Sequence, residues 1–307
     1  MRFLIILSSF NIGGSERYIV SLANYLSVNN SVFLYVINKD GPLSKEVLSS
    51  VTIILSNYKR SFFSIGHLSF IIRSIKPDIL FSSQSHVNLI TLISKWFSLM
   101  PVGVSIIREA STPSQNLKFQ SASFVSLKSR LVLLLSKLIY RCANIVLVPS
   151  VHVLEDCIAT FGLPRHLLFL NSNPIEIDKL ELLSIKKIYD YNFNTLTINF
   201  ISIGRLTKSK NISSLLEAFS KLVSSGYKVK LLIIGDGEEK DALQLQSNKL
   251  NISDQVWFSG HKSNPFPYIR KSDFLIIPSF FEGFPNVLLQ ALALQKICIV
   301  TPFISDL

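Results

Sequence analysis

A chain of 307 residues, 48% of them hydrophobic, is most simply two domains, each with its own buried core. Its net charge of +11 draws phosphates, whether on nucleic acid, anionic lipid or a substrate, but no groove-reading or base-stacking module accompanies it, which excludes a nucleic-acid reader. The three cysteines, Cys142, Cys157 and Cys298, have no metal-ligand spacing, and no apolar run reaches the ~18 residues of a membrane-spanning helix.

The amino terminus, MRFLIILSSF, has the charge and short apolar stretch of a signal peptide but no small-residue cleavage site. It reads instead as a first strand over 3–8, and the protein is expected in the cytoplasm. A glycine loop, Asn11 to Ser15, leads into an amphipathic helix with Ile19, Leu22, Ala23 and Leu26 on one face. Gly13 and Gly14 would supply φ values closed to other residues and let a ligand approach the backbone, or simply mark a turn. Further β-α units follow at 31–49, 51–75 and 79–98, with His86 just past a strand end.

The strand VGVSII delivers Arg108 and Glu109 to a strand's carboxyl end. Glu109 either orients an acceptor hydroxyl and takes its proton, or pairs with Arg108 or another cation. A polar loop over 110–123 runs into SFVSLKSRLVLLLSKLIYRCA, where Lys128, Arg130, Lys137 and Arg141 surround an apolar face. Such a helix either lies in a membrane interface or covers a core with its lysines in water. Residues 50–141 hold eleven Lys or Arg against two acids, Asp78 and Glu109, so most of the excess charge lies in the first half. After the strand NIVLVP, a helix over 150–160 and a strand over 167–170, Pro174 and the charged stretch beyond it read as a linker. The domains are thus expected at 1–175 and 196–307, joined by 176–195.

Short aliphatic runs, INFISI, KLLIIG, VWFSG, FLIIP and KICIV, alternate with helices in the second half, as the buried strands of a parallel sheet do. Two strand ends stand out. NFISIGRLTKSKNISSLLEAF carries Gly204, Arg205, Lys208 and Lys210 in a loop, and PSFFEGFPNVLLQALALQ carries Glu282 and Gly283 before an apolar helix. Main-chain N–H groups of Phe284, Asn286 and Val287 would direct that helix's positive end at an anion while the first loop supplies cations. Together they would cradle a diphosphate.

These motifs, with GGSERYIVSLANYL, IIREASTPS, NSNPIEID and VWFSGHKSNPFPYIRKSDFLIIPS in the same order, resemble family 4 of the retaining glycosyltransferases over nearly the whole chain. The resemblance implies a GT-B α/β fold, two Rossmann-like domains facing across a cleft, the first on the acceptor side and the second binding a nucleotide sugar. It implies transfer of a hexose-type sugar from a nucleotide-diphosphate donor to a glycan acceptor, lipid-linked, in surface polysaccharide synthesis such as O-antigen or capsule. Work would be done peripherally at the inner membrane face against anionic lipid, without cofactor or metal. Arg205 and Lys210 would neutralise the leaving diphosphate, Glu282 hold sugar hydroxyls, Gln290 the ribose, and the amides from Phe284 to Val287 the phosphates; the Gly13-Gly14 loop would face the donor phosphates and acceptor.

The sequence departs from the family pattern in three places. The second of two glutamates spaced eight apart is Gln290 here, Arg108-Glu109 stand where many members carry a histidine, and the chain stops at Leu307 where members continue, so the second domain is expected to be short. Two rivals share the architecture: a GT-B nucleotide-sugar epimerase, and a remnant that binds donor without transferring it.

Overall fold

The computed structural model describes residues 1–56, 58, 61–115 and 127–302, the last with main chain only over 127–132. The chain divides at Asn173/Pro174 into two units, each with its own sheet. In the first, seven parallel strands lie in the order β3-β2-β1-β4-β5-β6-β7: β1 (Arg2–Ser9), β2 (Ser31–Asn38), β3 (Val51–Leu55), β4 (Ile79–Ser83), β5 (Val104–Arg108), β6 (Ile145–Val148) and β7 (Leu168–Leu170). Helices α1 (Gly14–Leu26), α2 (Ile65–Ile75), α3 (Ser85–Phe97), α4 (Leu127–Ile139) and α5 (Val151–Phe161) connect them.

The near-continuous apolar runs follow from burial on both faces. Phe3, Ile5 and Leu7 of β1 enter one core with Ile19, Val20 and Ala23 of α1, while Leu4 and Ile6 enter another with Leu68 and Ile72 of α2. Successive side chains of a strand point to opposite faces, so a central strand covered on both must be apolar at every position. Chain order reverses between β1 and β4, which pair from Phe3↔Ile79 to Ile6↔Ser82, and such a reversal opens a crevice at the strands' carboxyl ends.

In the second unit five parallel strands lie in the order β10-β9-β8-β11-β12: β8 (Ile198–Ile203), β9 (Val229–Ile234), β10 (Val256–Gly260), β11 (Phe274–Ile277) and β12 (Ile297–Val300). They alternate with α7 (Ile212–Ser224), α8 (Lys240–Lys249), α9 (Phe266–Lys271) and α10 (Asn286–Ala293). Here the reversal falls between β8 and β11, paired at Phe274↔Phe200 and Leu275↔Ile201.

Residues 176–195 contain a helix, α6 (Ile177–Ser184), whose Leu180 is buried in the second unit's core; Ile188, Tyr191 and Phe193 pack against the same cluster. Tyr191 stacks on Trp257 of β10 at 4.7 Å. The basic segment over 123–143 lies partly outside the described residues. In its described part, Leu133 and Ile139 pack into the first unit's core, while Leu134 and Leu138 are exposed. Among the described residues no helix is long and apolar enough to cross a membrane.

Candidate active site

The two loops singled out by sequence sit at the carboxyl ends of β8 and β11, on either side of the reversal. After Ile203 the chain passes Gly204, Arg205 and Leu206 into a 3-10 turn, Lys208–Lys210, then into α7. Asn211 makes that last change of direction in the left-handed region, φ +52°, which Asn tolerates better than most residues. Its Oδ1 accepts from Ser214 Oγ at 2.8 Å.

From this turn the Lys210 ammonium donates to Glu282 Oε1 in the loop after β11, and Ser279 Oγ donates to the same oxygen at 2.8 Å. With the lysine side chain 28% and the glutamate 14% exposed, the pair is partly desolvated, so it is worth more than a surface ion pair. Main chain ties the loops as well: Phe280 N–H donates to Ser209 O at 2.9 Å, and Thr301, just past β12, donates through Oγ1 to Ser279 O at 2.5 Å.

Gly283 is buried, Phe284 and Val287 pack against the core of α10 and β11, and Asn286 opens α10 behind Pro285. Gln290 follows about one turn along α10, half buried. Arg205 is exposed and forms no ion pair among the described residues. The predicted residues of this half therefore gather at one sheet end, with a guanidinium left facing water.

Sequence reading missed what stiffens this end. Gly235, at the end of β9, has φ +152°, and a Cβ there would stand 1.8 Å from the Gly204 carbonyl oxygen. One at Gly237 would stand 2.3 Å from Leu206 O. Leu206 N–H donates to Asp236 O at 2.9 Å and Glu239 N–H returns to Leu206 O at 3.0 Å. Gly235-Asp236-Gly237 after KLLIIG is itself a glycine loop at a helix start, but nothing in that pattern announces its service to the neighbouring loop. Ser279 and Thr301 had no signal at all.

In the first unit the Gly13-Gly14 loop differs from expectation. Gly13 has φ −153°, an extended value any residue adopts, and Gly14 begins α1 without a positive φ. What stands nearest is the end of the Glu16 side chain, whose Oε2 would lie 2.2 Å from a Cβ at Gly13 and would have to swing aside for one. Glu16 folds back over the loop to accept from Ser8 Oγ at 3.2 Å and Gln84 Nε2 at 2.6 Å. His86 lies exposed on the first turn of α3 beside this group.

Glu109 has no accessible surface. Its carboxyl accepts from Ser85 Oγ and Tyr140 OH, both at 2.8 Å, and burial pushes its pKa up to about 7, only partly offset by those two donors and by the nearby Arg108 charge. Its oxygens are thus closed off from solvent, and among the described residues it forms no ion pair with Arg108 or another cation. Arg108 turns the other way, its guanidinium 4.3 Å over the Tyr18 ring and donating to Asn173 Oδ1. Tyr18 OH in turn donates to Asn171 Oδ1 at 3.0 Å. Asn88 closes the network by donating to Arg108 O at 3.0 Å and accepting from Ser82 Oγ at 2.8 Å. Tyr18 and Tyr140 carry no sequence signature of these roles.

The chain matches two family models, one described as Glycosyltransferase Family 4 over residues 12–179 and one as Glycosyl transferases group 1 over 186–305. An uncharacterized glycosyltransferase of Methanocaldococcus jannaschii is 31% identical over 232 residues, which cover 73% of this chain and 55% of that protein. An N-acetylgalactosamine-N,N'-diacetylbacillosaminyl-diphospho-undecaprenol 4-alpha-N-acetylgalactosaminyltransferase of Campylobacter jejuni is 29% identical over 301 residues, 94% of this chain and 77% of that one. Among solved structures, Anabaena HepE in complex with UDP-glucose superposes with a TM-score of 0.74 at 15% identity, covering 98% of this chain and 80% of that one. That likeness agrees with the GT-B α/β class expected from sequence.

Proposed function

Because the chain belongs to Glycosyltransferase Family 4, we propose that it transfers a sugar from a nucleotide-diphosphate donor to a glycan acceptor, with retention of anomeric configuration. The observation that carries this is the Lys210–Glu282 pair at the β8/β11 reversal. The Lys210 ammonium is held by the Glu282 carboxylate. A diphosphate entering between the loops replaces that carboxylate as the partner, and Glu282 becomes an acceptor for sugar hydroxyls, still steadied by Ser279.

As the glycosidic bond breaks, negative charge accumulates on the leaving diphosphate. Lys210 and Arg205 neutralise it where it develops, and the amino end of α10 adds its dipole, with the amides of Phe284 to Val287 beside the phosphates and Gly204 and Gly283 allowing close approach. Gln290 holds the ribose through one acceptor oxygen and two donors.

For the acceptor we propose a lipid-linked glycan of a surface polysaccharide, met at the inner membrane face. The Campylobacter relative's name specifies a diphospho-undecaprenol acceptor, and the excess of cations over 50–141 suits such a phosphate. The test is a thermal-shift screen of nucleotide sugars, followed by transfer of the labelled hit to a polyprenyl-diphosphate-linked saccharide. The expected result is one stabilising donor and a lengthened glycan. A melt unmoved by every nucleotide sugar overturns the proposal.

A further inference from the structure

We propose that the first unit binds an oxyanion of the acceptor, a phosphate or a carboxylate, on Arg108 and Ser83, two donors that the fold buries at neighbouring strand ends and leaves without acceptors. Arg108 closes β5 and Ser83 closes β4. The two are register partners, so their side chains leave the same face of the sheet. It is the face that α1 covers, since Phe81 and Ile106, two residues earlier on each strand, pack with Ile19, Val20 and Ala23. Arg108 is 2% exposed and Ser83 3%, and among the described residues neither Arg108 Nε nor Ser83 Oγ has a hydrogen-bond partner.

A buried donor without an acceptor costs free energy, and a buried charge costs more. A guanidinium cannot escape by losing its proton, and among the described residues no carboxylate forms an ion pair with Arg108. Glu109, the next residue, is turned to Ser85 and Tyr140, and with its pKa pushed up to about 7 by burial it offers no charge below that pH. What the fold supplies instead is neutral: the Tyr18 ring at 4.3 Å over the guanidinium and the Asn173 Oδ1 that accepts from Nη2. A water satisfies hydrogen bonds but leaves the charge unanswered. An oxyanion answers both, and the planar fork of arginine matches the geometry of carboxylate and phosphate oxygens.

The strand ends themselves are fixed, because Arg108 O accepts from Gln84 N–H at 3.3 Å and from Asn88 Nδ2 at 3.0 Å. The cover is lighter. Tyr18 and Asn173 are half buried, and Tyr18 OH is tethered to the exposed Asn171. The oxyanion takes the place of the Asn173 amide oxygen, a neutral acceptor yielding to a charged one. This deepens the proposed function, on which it rests for calling the ligand an acceptor, yet its first readout needs no turnover.

That readout is nuclear magnetic resonance of the full chain carrying isotope-labelled arginine, with the Arg108 Nε–H signal identified by its absence in Arg108→Met. A short prenyl diphosphate bearing N-acetylgalactosamine, glucuronic acid, and free N-acetylgalactosamine are titrated separately. The signal should shift with the first or the second, which tells a linkage phosphate from a sugar carboxylate, and stay in place with the neutral sugar. Ser83→Ala removes a donor and Asn173→Asp sets an internal carboxylate against the guanidinium, so each should weaken the response by about tenfold or more, with unlowered circular dichroism melts to establish folding. A signal unmoved by both oxyanions overturns the inference, and so does a response equally strong in the two variants. In transfer assays Arg108→Met should raise the acceptor KM by about 10–100-fold with donor Kd unchanged, and an unchanged KM overturns it as well. Should no nucleotide sugar bind, it is the transferase reading that fails, and the Arg108 signal still decides this site.

Discussion

Replacing Lys210 by Met isolates what the ammonium does. In the free protein its loss leaves Glu282 partly buried with Ser279 as its remaining donor among those described above. Breaking a fully buried pair costs about 3–5 kcal/mol and an exposed one under about 1, so exposures of 28% and 14% put this loss near 2 kcal/mol, readable by urea denaturation. Donor binding loses a charge-assisted contact worth roughly 1.5–3 kcal/mol, or about 10–100-fold in Kd by calorimetry. Turnover should fall further, by roughly 10²–10³-fold, because the charge Lys210 meets is greatest in the transition state. The double variant Lys210→Met/Glu282→Gln tells bracing from chemistry. It removes the carboxylate's charge together with the ammonium's and should regain most of the stability, while transfer stays low. If the double variant recovers transfer together with stability, Lys210 serves only to hold the loops and the charge-neutralisation argument is wrong.

Arg205→Ala, at an exposed position, should leave the urea midpoint within about 0.5 kcal/mol of wild type yet lower transfer by about 100-fold; near-normal initial rates would remove Arg205 from the site. Gln290→Glu should tighten donor binding by roughly 1–2 kcal/mol if the residue faces the ribose, since a carboxylate accepts from both hydroxyls, and unchanged calorimetry would place Gln290 elsewhere. Glu109 sets a pH dependence. Its folded pKa of about 7 lies above the ordinary 4.5, so between those values the folded chain holds a proton the unfolded chain has released, and stability falls as pH rises through that window, by roughly 3 kcal/mol in all. Glu109→Gln should abolish this slope, matching wild type below about pH 4.5 and exceeding it above about pH 7; parallel denaturation curves for the two proteins across the range would refute the buried acid.

What the sequence disclosed, and what it hid, follow from how local each signal is. Buried parallel strands announce themselves because both faces are apolar, which is why INFISI and FLIIP were read at their observed places. The strand-loop-helix pattern also located Lys210 and Glu282, since carboxyl ends of adjacent parallel strands must meet. At the Gly13 loop two glycines signal backbone freedom that the fold does not use, since neither has a positive φ and the Glu16 carboxylate lies beside Gly13 instead. The burial of Glu109 was hidden for a related reason. A charged pair at a strand end suggests solvent and an ion pair, but Tyr140, 31 residues later, and Ser85, 24 earlier, bury the acid among neutral donors. No window of sequence around residue 109 contains them.

The same distinction explains why the second unit's site is stiff before any donor arrives. A loop carrying Arg205 and Lys210 would by its composition be mobile and mutually repelling, and ordering it around a diphosphate would subtract from binding. Here the cost is met in folding. Gly204 and Leu206 lie against Gly235 and Gly237 at distances that exclude any side chain, and paired main-chain hydrogen bonds run from Leu206 to Asp236 and from Glu239 back to Leu206. On the far side Ser209 accepts from Phe280, and Thr301 holds the carbonyl of Ser279. The cationic loop is thereby clamped by main chain from β9 on one flank and from β11 on the other, and none of these clamps uses a side chain that a phosphate would need. Lys210 alone is held through its charge, by a carboxylate that an incoming diphosphate can displace. The group expected to move when donor binds is therefore a single side chain on a rigid support, the arrangement in which electrostatic stabilisation costs least reorganisation.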